Sequence, residues 1–347
     1  MNAFEGGPAL LRSAERTDDI LRKLGAALAE NLGDRNVEVF GEHTTFILTG
    51  SGGRGEMTQG SDIDGYVVRV RTPLDPRHDA LILTATSHAL DRSGLPGLDR
   101  DGEFLAMREA SAVVDKLGST EDDHSNAFTL RMLFLLESRP LMGQVAYDQF
   151  FNVVSDAYRS SAGGHKDDFL PFFLVNDIIR YWRTVLLNHE DRLRKKSAEL
   201  EENGLSGAEL DSVLLAHRRY RSLKLRFPRC LSCFSSLAYL LAIAPRDEDS
   251  VTRQHEREMF DLTPTQRLQK VAEVQPGVRD RVGTMIDLYA GYMKSTDGAK
   301  KDVLRRLDED RDFQRRTSKD GQRFTEEMFQ LIQELGQGNR LHRQMLI

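Results

Sequence analysis

Residues 50–64 read Gly-Ser-Gly-Gly-Arg-Gly-Glu-Met-Thr-Gln-Gly-Ser-Asp-Ile-Asp. The stretch lies between two apolar runs, Thr45-Phe-Ile-Leu48 and Tyr66-Val-Val-Arg-Val70. That order predicts strand, glycine turn, short helix, strand. Asp62 and Asp64 are two apart where the second strand begins, so alternation along a strand puts both carboxylates on one face. Neighbouring carboxylates repel unless a cation sits between them, and a divalent metal is the usual partner. Backbone N–H groups of a glycine turn before a helix suit a chain of phosphates. A carboxylate pair beside a phosphate cradle points to nucleotide chemistry. The bland alternative makes the acids an N-cap and a turn residue before a strand.

Working outward, Gly50-Ser51, ten further residues and then Asp62-Ile-Asp64 resemble the signature of the DNA polymerase β-like nucleotidyltransferase superfamily. With Arg54, Glu56, Thr58 and Ser61, the string is most similar to the bacterial branch around PII uridylyltransferase and glutamine synthetase adenylyltransferase. The motif covers residues 45–70. Softer resemblances, at Phe128–Gly143, Phe173–Thr184 and Leu223–Arg229, are to helices of stand-alone nucleotidyltransferases of that branch. The resemblance implies an α+β chain: a small mixed β-sheet nucleotidyltransferase domain at 1–118, then a large α-helical domain at 119–347 closing over the nucleotide. It implies that Asp62 and Asp64 hold Mg2+ (or Mn2+) and are the catalytic acids, and that Gly50 and Ser51 hold the triphosphate.

Arg54 has two readings, a phosphate contact or an ion pair with Glu56 or another acid. Glu56 suits the first turn of the short helix and reads as structural. The resembling family places a third carboxylate on a later strand. The residues offered here are Asp99, Asp101 and Glu103, with Asp101 first among them, although the turn at Gly102 accounts equally for an Asp.

A second set of candidates follows in the helical part. Asn176, Arg180 and Arg183 recur three or four apart and share a helix face. His217–Arg229 holds Arg218, Arg219, Arg221, Lys224, Arg226 and Arg229 without an acid. By the resemblance Lys224, with Arg180, contacts the triphosphate; alternatively Arg180 pairs with Asp177 and the basic run is a solvated face. Arg226 and Arg229 are also candidates for gripping a nucleic-acid acceptor. Cys230 and Cys233 have metal-like spacing but fall in an apolar helical run, which reads as core. Phe172, Tyr181 and Trp182 read as core too. His78-Asp79 echoes metal phosphohydrolases only as a dipeptide, with no ligand-spaced histidines after it.

The chain of 347 residues is 39% hydrophobic and 29% charged, which suits an ordinary soluble protein with room for two domains. Its net charge of −6 argues against a general nucleic-acid coat, leaving local basic patches open. Two cysteines, no signal-peptide pattern and no apolar run long enough for a bilayer give the expectation of a cytoplasmic protein without membrane contact. Helices are expected at Leu10–Leu32, Asp79–Leu90, Asp123–Ser138, Val145–Ser160, Phe169–Glu202, Gly207–Ala244, Pro264–Val274, Arg279–Lys294 and Glu326–Leu335. Strands are expected at Val37–Phe40, Thr45–Thr49 and Glu103–Met107 besides the carboxylate strand, and residues 297–325 as a solvated helix or mobile segment.

The function expected is metal-dependent transfer of a nucleoside monophosphate from a nucleoside triphosphate to a hydroxyl, releasing pyrophosphate. The acceptor is either a protein side chain or the 3′ end of a nucleotide or nucleic acid. The alternatives are a catalytically lapsed nucleotide-binding regulatory protein and, third, a helical nucleic-acid-binding protein.

Overall fold

A computed structural model describes residues 6–58, 61–71, 75–93, 107–123, 126–160, 169–244 and 250–346. In chain order the elements begin with α1 (Gly7–Leu32), α2 (Arg35–Phe40), β1 (Thr44–Leu48), α3 (Gly50–Arg54), β2 (Gly65–Arg69) and α4 (Pro76–Ser93). β3 (Arg108–Glu109), α5 (Ala110–Val114), α6 (Ala127–Glu137), β4 (Arg139–Met142) and α7 (Gln144–Ser160) follow. The remainder is helical: α8 (Phe172–Glu202), α9 (Gly207–Lys224), α10 (Cys230–Ile243), α11 (Arg253–Asp261), α12 (Pro264–Val274), α13 (Arg279–Thr296), α14 (Lys300–Glu309), α15 (Arg311–Gly336) and α16 (Arg340–Leu346). The described residues are therefore α+β and mostly helical, with a small four-stranded mixed sheet. Among the described residues no helix is long and apolar enough to cross a membrane.

Two compact units divide the chain. The sheet unit takes 11–169 and the returning segment 252–263; the helical unit takes 1–10, 170–251 and 264–347. Along the chain the divisions fall at 10/11, 169/170, 251/252 and 263/264.

In the sheet unit the strand order is β3-β2-β1-β4. β1 runs antiparallel to β2, with Leu48 opposite Gly65 and Thr44 opposite Arg69. It is also antiparallel to β4, while β2 and β3 are parallel. All five β1 residues are buried, so the strand is covered on both faces rather than alternating between core and solvent. On one side Phe46, Leu48 and Val67 pack with Leu24 and Leu28 of α1 and Ile82 of α4. Fully burying each such side chain is worth about 1.5–3 kcal/mol. A second cluster gathers Phe134, Tyr147, Phe150 and Phe151 around Phe260 of α11. Glu256 of α11 accepts bonds from Ser155 and Arg159, pinning the returning helix to α7.

Two expectations are corrected here. Residues 37–40 form helix α2, not a strand: Val39 and Phe40, adjacent in sequence, are both buried while Val37 is 77% exposed. So short an alternation fits either period. The stretch expected as purely α-helical from 119 onward contains a strand, β4 at Arg139–Met142; its Pro140 reads as a breaker but is tolerated on an edge strand. Of the two readings of 297–325, solvated helix or mobile segment, the helix is found: residues 300–309 and 311–336 are amphipathic, with Val303, Leu307, Phe313, Thr317, Gly321 and Phe324 inward at helical spacing. The expected strand at 103–107 lies mostly outside the described residues.

The helical unit is built around the buried α10, which packs on α12 and α15. Pro228 interrupts the path from α9 into α10, and the chain absorbs its missing N–H in a π-helical segment, Leu225–Arg229. Phe227 there stacks on Tyr292 at 4.6 Å and packs on Phe324. Cys230 and Cys233 are both buried, and burial pushes the Cys230 thiol up to about 12, in keeping with the core reading.

Candidate functional site

β1 delivers the chain to Thr49, and β2 begins just after Asp64. The Thr49 N–H donates to the Asp64 carbonyl at 2.8 Å, extending the hairpin ladder one pair past Leu48 and Gly65. This register sets Asp64 beside Gly50. Gly50 has φ +59°, and a Cβ built on it would stand 2.6 Å from Asp64 Oδ2. The left-handed backbone favours glycine at this position, and the Asp64 carboxylate lies against its bare Cα. Ile63 is buried; its neighbours are Asp62, exposed, and Asp64, half-buried. Period-two alternation turns the two acids away from the core that holds Ile63.

α3 starts at Gly50 with Thr49 as N-cap and, among the described residues, no side-chain cap. The Gly53 N–H is the first to close onto the turn, reaching the Thr49 carbonyl at 3.2 Å. The N–H groups of Gly50, Ser51 and Gly52 precede it and have no intrahelical acceptor. Ser51 is half-buried in this first turn. A Cβ on Gly53 would fall 1.9 Å from the Glu137 carbonyl oxygen, so α3 seats against the end of α6 only because residue 53 has no side chain.

Arg54 settles between acids. Its Nε lies 2.6 Å from Glu56 Oε2 and a terminal nitrogen 2.7 Å from Glu137 Oε2. The Arg54 and Glu56 side chains are each 8% exposed and that of Glu137 1%. Of the two readings of Arg54, the ion-pair geometry is the one found. Its charge locks the turn to α6 instead of standing open for a phosphate. Beyond it, the Met57 N–H donates to Thr17 Oγ1 and the Met57 carbonyl accepts from Arg16 Nε. Ser61 Oγ accepts from the Thr58 N–H. α1 thus braces the approach to Asp62.

His78-Asp79 is a structural tie. Arg69, a donor only, reaches His78 Nδ1 at 2.9 Å, so Nε2 carries the proton toward Glu38 at 3.3 Å. Asp79 accepts the Met107 N–H at the approach to β3.

Gly50, Ser51, Asp62 and Asp64 are therefore gathered at one end of the β1–β2 hairpin, with Arg54 behind them. Asp99, Asp101 and Glu103 lie outside the described residues. Lys224 belongs to the helical unit, exposed at the end of α9 with its ammonium 5.0 Å from the Tyr220 ring. There Arg180 pairs with Asp177 at 3.4 Å, the structural reading of that residue, and Asn176 bonds back to the Phe172 carbonyl. Sequence reasoning missed Glu137 and Thr17. Both reach the turn from elements far along the chain and carry no local signal.

Among the described residues no three His, Cys, Asp or Glu come together as a metal-binding group; the acids at issue are a pair. The donor set fits magnesium nonetheless, since that ion keeps several waters and takes one or two carboxylates together with substrate phosphates. No protein-family model matches the chain, and neither a curated protein nor a solved structure matches it.

Proposed function

We propose that the chain is a metal-dependent nucleotidyltransferase of the polymerase β-like type, moving a nucleoside monophosphate from a nucleoside triphosphate to a hydroxyl and releasing pyrophosphate. The observation that carries this reading is the approach of the Asp64 carboxylate to the bare backbone of Gly50. A metal-capable acid and a glycine turn with N–H groups at its start share one corner of a hydrogen-bonded hairpin.

In this reading the N–H groups of Gly50 to Gly52 and the Ser51 hydroxyl bind the phosphate tail, and Gly50 admits it because no side chain intervenes. Asp62 and Asp64 hold Mg2+ or Mn2+, which when bound neutralises charge building on the transferred phosphoryl group. Arg54 acts indirectly, holding α3 against α6 so that the turn is rigid before substrate arrives. The acceptor hydroxyl belongs to a protein side chain or to the 3′ end of a nucleotide or nucleic acid.

The test incubates the full chain with each α-labelled nucleoside triphosphate, magnesium or manganese, and cell extract. The expected result is label entering protein, RNA or a small product, with stoichiometric pyrophosphate. Asp62→Ala with Asp64→Ala removes the labelling while circular dichroism stays unchanged. Labelling that survives the double substitution sinks the proposal. Calorimetric binding of triphosphate by the parent chain without pyrophosphate release points instead to a lapsed, nucleotide-binding regulatory protein.

A further inference from the structure

α8 and α9 form an antiparallel pair in the helical unit, joined by a short turn at 203–206. The sequence holds no Asp or Glu between Asp211 and Asp247, yet residues 217–229 carry Arg218, Arg219, Arg221, Lys224, Arg226 and Arg229. Arg219 donates to the Leu307 carbonyl and Arg226 to that of Ser318, so these two tie α9 and its continuation to neighbouring helices. Arg218 and Arg221 make no ion pair among the described residues.

Cations from packed elements crowd the same face. Burial first, then the charge of Arg192 on α8, holds the Arg221 guanidinium below its ordinary value. His189 is depressed by burial and by Arg221 and Arg218, with Glu190 opposing. His217 is depressed by burial and by Lys196, Lys300 and Arg221, with Glu199 opposing. Two acids of α8 already have cationic partners on their own helix: Asp191 pairs with Lys195 and Arg194, and Glu199 with Lys196. The acid-free stretch 217–229 carries a local surplus of positive charge on a chain whose net charge is −6.

The row is too long for one small anion. Arg218, Arg221 and Lys224 recur every three residues, spanning about 9 Å of helix. Guanidinium groups, which dominate it, pair with phosphate oxygens in two-pronged fashion. We propose that the face of α8 and α9 around Arg192, Arg218 and Arg221 binds the phosphate backbone of a nucleic-acid strand. This inference stands apart from nucleotidyl transfer and does not need it.

The test measures fluorescence anisotropy of a labelled single-stranded oligonucleotide with the full chain over a range of KCl concentrations. Log affinity should fall linearly with log salt. Arg192→Gln with Arg218→Gln and Arg221→Gln should weaken binding by about tenfold or more and flatten the slope by about 2, three contacts at roughly 0.7 each. Arg218→Gln alone, at an exposed position, should flatten it by about 0.7 and guards against misfolding of the triple variant. A charge-matched control, Arg22→Gln with Arg77→Gln and Arg315→Gln, should bind like the parent. No binding at low salt, or equal loss in the control, overturns the proposal. So does capture by phosphatidylserine vesicles, lost in the triple variant, with no oligonucleotide binding.

Discussion

Arginines serve opposite purposes in the two units. In the sheet unit Arg54 lies between Glu56 and Glu137, and Arg131 is fully buried. Arg131 grips both oxygens of Asp122 at 2.6 and 3.0 Å and donates to Tyr158 and the Val113 carbonyl. Burial works against that guanidinium, but Asp122 and Tyr158 hold it above its ordinary value. On α9 Arg218 and Arg221 have no such acids, and other cations crowd them. A buried, paired charge fixes a scaffold; a surplus of unpaired charge at the surface favours an anion from outside.

The largest test of this contrast is Arg131→Ala. It strands Asp122 in the interior and should cost about 3–5 kcal/mol in urea unfolding. Replacing both partners, Arg131→Met with Asp122→Leu, should recover most of that loss. If Arg131→Ala cost less than 1 kcal/mol, the buried pair would not be the scaffold described.

Gly53→Ala comes next. With the Glu137 carbonyl 1.9 Å from the new Cβ, backbone must move, at about 3 kcal/mol by thermal or urea unfolding. Gly291, within α13 and with nothing near its Cβ position, is the comparator, and Gly291→Ala should gain about 0.5–1 kcal/mol. Equal effects would mean that the glycine turn is not sterically fixed.

A smaller effect appears with pH. His189 and His217 have folded values below the unfolded one, so as pH falls through the ordinary histidine range the unfolded chain takes up protons first. Stability should drop on acidification from just above the unfolded value and level off below the folded ones. His217→Gln should flatten that slope in unfolding curves across pH. A slope that steepens would place His217 near net negative charge instead. Smallest of all is Arg221→Gln, expected within about 0.5 kcal/mol of the parent, because no carboxylate loses its partner.

The glycine turn was legible because its demands are local. Gly50 and the two acids lie within one hairpin, whose register follows from two short apolar strands. The helices were legible through period, except where short segments fitted two periods, as at 37–40, or where dense charge left helix and mobile segment both open, as at 297–325. β4 was hidden because pairing with β1 reaches from Arg139 back to Leu48 and nothing around Pro140 announces it. Glu137 was hidden for the same reason: its value to Arg54 lies 83 positions away.

The sequence by itself determined the hairpin, the pairing of Asp62 with Asp64, the requirement for glycine at its turn and most helix spans, since each depends on neighbours a few residues apart. Only the tertiary structure decided which arginines are neutralised. That depends on which carboxylates long-range packing brings within reach, and on how much water remains between them.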